Sequence, residues 1–326
     1  VNFFHLLSEL EQLDPELGER LDSRRAVFKH LGGMGQKLTA AALPLAIGAI
    51  FNKAYGQTPA GLQVVEALNF ALKLEYLELS LYKYRASLTG LSAPITTSLN
   101  LIAADEANHV AFLRTIISAM GGTPIAEPPL ALFDFTAGIG SMQGPYIGFS
   151  TNPAVFLVVA QALEDLGVRA YKGLTPTLMT NKTMLTAALN IHSIEARHSA
   201  QIRAIRRALA TSASTPPSQG VPGSPNAAPK SWVSGTDRGG PAPGSAPFYT
   251  SPIYEAGNKV IGGPEDIMFH QEANTIHLGV ALTNNLSAAV ANFPLAAFTE
   301  AFDEGLDVTT VSTIARPFVL HSSKFF

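Results

Sequence analysis

Residues 68–82 read LNFALKLEYLELSLY, and the place of Glu75 in this stretch decides the fold. Leu68, Ala71 and Leu72 precede it by seven, four and three residues, and Leu79 follows it by four. These are helical intervals, so the carboxylate shares the apolar stripe of an amphipathic helix. The unit then recurs. Glu106 follows Glu75 by 31 residues, and Glu195 follows Glu164 by 31. Glu106 and Glu195 each open a Glu-x-x-His, completed by His109 and His198. Tyr82 follows Glu75 by seven and Tyr171 follows Glu164 by seven, so the whole set repeats at an offset of 89 residues. A single Glu-x-x-His arises readily by chance. Two copies at matched distance from two Glu-x6-Tyr units do not.

The spacing has a chemical reading. Residues three apart share a helix face, so Glu106 and His109 can hold one ion together, and a carboxylate from another helix can bridge two. Ile102, Val110 and Leu113 lie on the stripe of Glu106, Val168 on that of Glu164, and Ile191 and Ile202 on that of Glu195. All four carboxylates therefore face a core, where an unpaired charge is very costly. Two divalent cations balance four carboxylates. Imidazole and carboxylate donors suit iron or manganese, and the chain has no cysteine to offer a thiolate. The expected ligands of two Fe or Mn ions are Glu75, Glu106, His109, Glu164, Glu195 and His198. Glu106 and Glu195 each serve one ion or bridge both. The competing reading is a bundle whose buried carboxylates and histidines pair with one another and hold no metal.

This pattern resembles the ferritin-like di-metal carboxylate superfamily. Within it, residues 68–82 look like the bacterial ferritin-like domain, or desiccation-related protein, group. The resemblance covers residues 58–211, and all six ligand positions are filled. It implies an all-α fold, a left-handed four-helix bundle with a long crossover between the second and third helices. It also implies that Tyr82 and Tyr171, otherwise plain core aromatics, hydrogen-bond the bridging carboxylate of the opposite half. Glu78 shares the first helix, but its repeat partner is Gly167, so Glu75 is the ligand chosen. Asp105 and Asp165 each adjoin a ligand, about 100° around the helix, and belong in solvent or behind the ligands. His192 precedes Glu195 by three and is an extra ligand or a donor behind the ligands, although the first half has Ala103 there. His5, His30, His270, His277 and His321 have no carboxylate spacing around them and no metal role.

The chain has 326 residues, 47% hydrophobic and only 14% charged, below the usual ~25%. Such a balance calls for large buried faces, an interface or a membrane contact. A net charge of −3 gives no reason to expect nucleic acid. Residues 1–57 form an N-terminal segment of short amphipathic helical pieces broken by Pro15, followed at 23–29 by SRRAVFK. That run resembles a twin-arginine export signal, with residues 38–51 (LTAAALPLAIGAIF) as its apolar region and Ala54-Tyr55-Gly56 as its cleavage site. The apolar run is shorter than the ~20 residues that span a bilayer, and the segment before the arginines is long and acidic. Its other reading is an apolar helix packed on protein or lying at a membrane surface. The signal reading places the protein in the periplasm or cell envelope, the other in the cytoplasm.

Four helices are expected at about 58–88, 92–120, 153–176 and 180–211, with a Gly-, Pro- and Phe-rich crossover at 121–151. Residues 212–247 are a Pro/Gly/Ser-rich linker, too polar to fold alone and expected to wrap a bundle surface or a neighbouring subunit with Trp232 buried. A loop-rich C-terminal extension, 248–326, carries helical stretches near 264–281 and 286–304.

Two functions follow. One is a di-iron or di-manganese oxidoreductase of stress-response type, ferroxidase-, peroxidase- or catalase-like, acting on oxygen, peroxide or ferrous iron. The other is a structural subunit that keeps the metal bundle as scaffold in a larger, membrane-associated assembly. Its partner, a different protein or a second copy, docks through the N-terminal segment and linker, with a peripheral membrane contact.

Overall fold

The stripe that carries Glu75 is the inner face of helix α1, Ala60–Tyr82, which tightens into a 3-10 turn at Lys83–Ser87. The computed structural model describes residues 60–210, 229–233, 251–255, 257, 269–277, 280–281, 298–321 and 323–326. The signal-like N-terminal segment and most of the 212–247 linker lie outside them. Helix α2 is Ala93–Ala119, with Pro94 in its first turn; Ser92 precedes it but makes no side-chain cap. Gly121, at φ 77°, ends it. Its N–H donates to the Ser118 carbonyl (3.0 Å), and the Gly122 N–H to that of Ile117 (2.9 Å). This pairing satisfies the last carbonyls of the helix and needs a residue free to adopt positive φ.

Helix α3, Pro153–Leu178, and helix α4, Lys182–Leu209, start on asparagine caps. Asn152 accepts from the Ala154 N–H and Asn181 from the Met184 N–H, each at 3.0 Å. The sequence suggests that α3 stops near Pro176, yet it runs on to Leu178. Pro176 has no N–H for the Lys172 carbonyl, and the Thr175 hydroxyl supplies that bond instead at 2.7 Å. α1 pairs with α2, α3 pairs with α4, and α1 packs on α3. The result is an all-α, ferritin-like bundle with a long connection between its halves. Among the described residues, no helix is long and apolar enough to cross a membrane.

Helix α3 is buried on every side from Phe156 to Tyr171. A helix covered on all sides needs a partner on each, and its polar residues Gln161, Glu164, Asp165 and Arg169 need buried partners too. One side of α3 faces the bundle, and the C-terminal extension covers the other. There, helix α5 (Ser251–Glu255), residues 269–274, 303–306 and helix α6 (Val308–Ala315) lie against it. The Leu306 N–H donates to the Arg169 carbonyl at 3.0 Å, and a Cβ at Gly173 would collide with the Leu306 carbonyl. The helix expected at 264–281 does not form in its described part. Strands β1 (Ile276–His277) and β2 (Val280–Ala281) make a short antiparallel ladder there. Ile276 and Val280 are β-branched, and Gly279 disfavours helix. Of the stretch 286–304, only 298–304 is described, and it is helical only at 298–299.

The crossover is ordered by its own polar and aromatic groups. Buried Asp134 accepts from the N–H groups of Thr136 (3.0 Å), Gly140 (2.8 Å) and Met142 (3.0 Å), so the loop winds around one carboxylate. Its phenylalanines pack on the 3-10 turn that follows α1 and on Phe325. Phe149 meets Tyr84 at 5.0 Å between ring centroids, and Phe133 meets Phe325 at 5.8 Å. The linker does touch the bundle: the carbonyls of Pro229 and Lys230 accept from Arg207 (2.8 Å) and Arg203 (3.1 Å), with Val233 buried. Trp232 is not the buried anchor expected of it. It is 52% exposed, and its indole N–H donates to Glu300 at 2.8 Å. An indole N–H needs an acceptor, and Glu300 supplies it while the ring itself stays half-exposed.

Candidate metal centre

Each helix brings its glutamate to one level, and Glu75, Glu106, Glu164 and Glu195 are all fully buried there. Their oxygens and two imidazoles fall into two groups whose potential ligand atoms lie within 4.8 Å of one another. One comprises Glu75, Glu106, His109 and Glu195; the other comprises Glu106, Glu164, Glu195 and His198. Glu106 and Glu195 belong to both. His109 Nδ1 lies 3.2 Å from Glu75, 3.4 Å from Glu106 and 3.5 Å from Glu195. His198 Nδ1 lies 2.8 Å from Glu106 and 3.3 Å from Glu164. The two tyrosines cross between the halves: Tyr82 donates to Glu164, and Tyr171 donates to Glu75. Each phenol thus holds a glutamate that belongs to one group only, rather than one of the shared pair.

Many of these atoms lack a hydrogen-bond partner. Both carboxylate oxygens of Glu106 and of Glu195, Glu164 Oε2 and His198 Nδ1 have none among the described residues. His198 Nδ1 and Glu106 Oε1 are close, at 2.8 Å, without the alignment of a hydrogen bond. Buried polar groups are almost always paired, so orphaned atoms converging on two points fit a cation at each. The donor set, all imidazole and carboxylate, fits a hard or borderline divalent metal.

Electrostatics of the metal-free cluster agree. Burial and the Glu75 charge push Glu106 up to about 7. Burial and the charges of Glu106 and Glu75 push Glu195 well above the carboxylate range. Burial opposes Glu75 too, but His109 beside it brings it below its ordinary value. Burial disfavours the charged imidazoles, yet Glu75 raises His109 to about 11 and Glu164 raises His198 to about 12. The folded metal-free protein therefore keeps protons on both histidines, Glu106 and Glu195 that an unfolded chain releases; Glu75 works the other way. Where the folded state binds more protons, stability falls as pH rises, by about 1.4 kcal/mol per pH unit for each extra proton. The histidine contribution is complete below about pH 6.5 and is lost as pH climbs towards 11–12. Calorimetry of chelator-stripped protein between about pH 5 and pH 9 should show a melting temperature that falls continuously; a rise would contradict the cluster.

The remaining sequence candidates separate cleanly. Asp105 is half-exposed and accepts from His198 Nε2 at 3.2 Å, which leaves Nδ1 facing the glutamates. Its repeat counterpart is Ile194, so His109 has no such carboxylate behind it. Asp165 points away from the cluster into a buried polar network, bonded by Ser199 (2.6 Å), Arg203 (2.5 Å) and Tyr254 (2.5 Å). His192 neither joins nor backs the ligands. Its Nδ1 donates to the Val168 carbonyl at 2.9 Å, and the ring faces Asp303 and Lys172 of the outer layer. His270 and His321 join no metal-capable group among the described residues. His5 and His30 lie outside those residues, as does the His277 side chain. Glu78 is a buried acid that the repeat does not mark: it is 2% exposed and surrounded by the cluster's carboxylates. The signal that could have found it was present: it lies three residues after Glu75, on the same face.

Buried carboxylates and imidazoles between two helix pairs, with a long connection joining the pairs, define a ferritin-like carboxylate bundle. Residues 63–208 match the family model described as a ferritin-like domain, and this bundle is a ferritin-like domain. Neither the curated proteins nor the solved structures yielded a match.

Proposed function

We propose that this protein is a di-iron or di-manganese redox protein acting on oxygen, peroxide or ferrous iron. The observation that carries the reading is the pair of ligand groups sharing Glu106 and Glu195, with their inward atoms unpartnered. Glu75 with His109 would serve one ion, Glu164 with His198 the other, and Glu106 and Glu195 would serve both. When bound, the metals supply one-electron steps to a small oxidant or reductant. The chain supplies the rest. Four carboxylates offset the positive charge, Asp105 fixes the tautomer of His198, and the tyrosines hold Glu164 and Glu75 in one orientation. Outer hydrogen bonds of this kind are commonly worth about 10–100-fold in metal affinity. Tyr82→Phe should therefore weaken one ion, and Tyr171→Phe the other, by a factor in that range on metal titration.

The test is anaerobic reconstitution with Fe(II) or Mn(II), followed by exposure to oxygen or peroxide. Two ions per chain and consumption of the oxidant support the proposal. A folded protein that binds no metal overturns it. Two ions without reactivity favour the scaffold-subunit alternative. We also propose that residues 1–57 make the partner or membrane contact. A chain beginning at residue 58 should lose that association on cell fractionation, and unchanged partitioning would refute the idea.

A further inference from the structure

The 89-residue repeat is broken at one inward position. Glu78 corresponds to Gly167, so one half carries a fifth carboxylate where the other carries no side chain. The two residues meet in the fold. A Cβ built on Gly167 would stand 2.6 Å from Glu195 Oε2 and 2.9 Å from Glu78 Oε1. The space left by the missing side chain is therefore filled by two carboxylates, one of them shared by both ligand groups. Glu78 is 2% exposed, and its Oε2 has no hydrogen-bond partner among the described residues. Nothing in packing explains an acid here. Leucine would fill similar volume at no desolvation cost, whereas an unpaired buried carboxylate beside four others is strongly unfavourable.

We propose that Glu78 is a seventh protein ligand, bound to one of the two ions and making that ion chemically different from its neighbour. The proposal rests on the two-ion reading above. Its chemistry follows from charge. Four carboxylates neutralise two divalent ions, and a fifth leaves one excess negative charge. That excess would favour ions carrying a higher total charge than two divalent cations. Gly167 is then required as well, because a side chain there would displace either Glu78 or the shared Glu195.

Stepwise anaerobic titration with Mn(II), followed by the electron paramagnetic resonance of free Mn(II), reads the two ions separately. Wild-type protein should bind two ions in distinguishable steps. Glu78→Gln keeps the shape and should weaken one step at least tenfold while leaving the other in place. The metal-free Glu78→Gln protein should melt no lower than metal-free wild type, since a buried repulsion has been removed; a purely structural acid would give a lower melting temperature. Wild-type protein that binds two ions, with Glu78→Gln matching it in both steps, overturns this inference and leaves the two-ion reading standing. Wild-type protein that binds none overturns both. Should Glu78→Gln fail to fold, anomalous scattering from Mn(II)-loaded wild-type crystals decides the matter. A Glu78 oxygen at bonding distance from one ion upholds the assignment, and a Glu78 oxygen bonded to neither ion refutes it.

Discussion

Glu106→Gln is expected to remove both ions, whereas Glu164→Gln removes one. The difference follows from membership. Glu106 belongs to both ligand groups, and Glu164 to the His198 group alone. Both oxygens of Glu106 are also unpartnered and would be free to serve as ligands, while one oxygen of Glu164 is already held by Tyr82. Loss of a carboxylate that orients a ligand costs about 10–100-fold in affinity, so loss of a shared ligand should exceed that range at both ions. Elemental analysis after desalting would then find fewer than one ion per chain in Glu106→Gln and in Glu195→Gln, and one in Glu164→Gln. Equal losses in all three variants would show that the ions are not shared in this way. Metal-free Glu106→Gln and Glu195→Gln should be about as stable as metal-free wild type, because burial already favours the protonated carboxyl at both positions, whereas metal-free Glu164→Gln loses the charge that holds His198 protonated and should melt lower.

The cluster was legible because its information is periodic. Glu75, Glu106, Glu164 and Glu195 recur at one spacing, each on an apolar stripe, and a helix turns that spacing into convergence. What the repeat could not reveal were its departures. The repeat does not mark Glu78, because its counterpart Gly167 has no side chain, yet that absence is what lets Glu78 and Glu195 come together. His192 shares the face of Glu195 in the sequence, but the ring leans towards the Val168 carbonyl and the outer layer. The unseen part of the fold was the cover on α3. Residues 248–326 carry weak helical signals, and part of their hold on the bundle is an arginine meeting backbone carbonyls, which leaves no hydrophobic period to read. A clue lay in α3 itself, whose apolar residues between Phe156 and Tyr171 are too many for one face, hence in need of a second partner.

That cover should come away when Arg169 is replaced. The side chain is fully buried on the outer side of α3. Its guanidinium donates to the carbonyls of Ile253 (2.5 Å), His270 (2.5 Å) and Glu304 (2.8 Å), and Nε lies 2.8 Å from Glu272. Those partners come from three separated segments of the extension. Glu272 also accepts from the Glu304 N–H at 2.9 Å, and Asn274 donates to the Glu304 carboxylate at 2.8 Å, so the segments are tied to one another as well. Arginine suits this place because its planar fork carries five donors and stays charged when buried; lysine offers three on a point charge. Arg169→Met would preserve much of the apolar stem while leaving a carboxylate and three carbonyls buried without their donor. Removing one partner from a buried ion pair costs about 3–5 kcal/mol. For a domain of this size a loss of that order should lower the melting temperature by roughly 5–15 °C. Arg169→Lys should fall between the two. Limited proteolysis should cut first beyond Leu209, releasing the extension, while circular dichroism still reports α1–α4. Wild-type melting and wild-type protease resistance in Arg169→Met would mean that the extension is held by its apolar contacts, Leu306, Val311 and Ile314, and not by the buried fork.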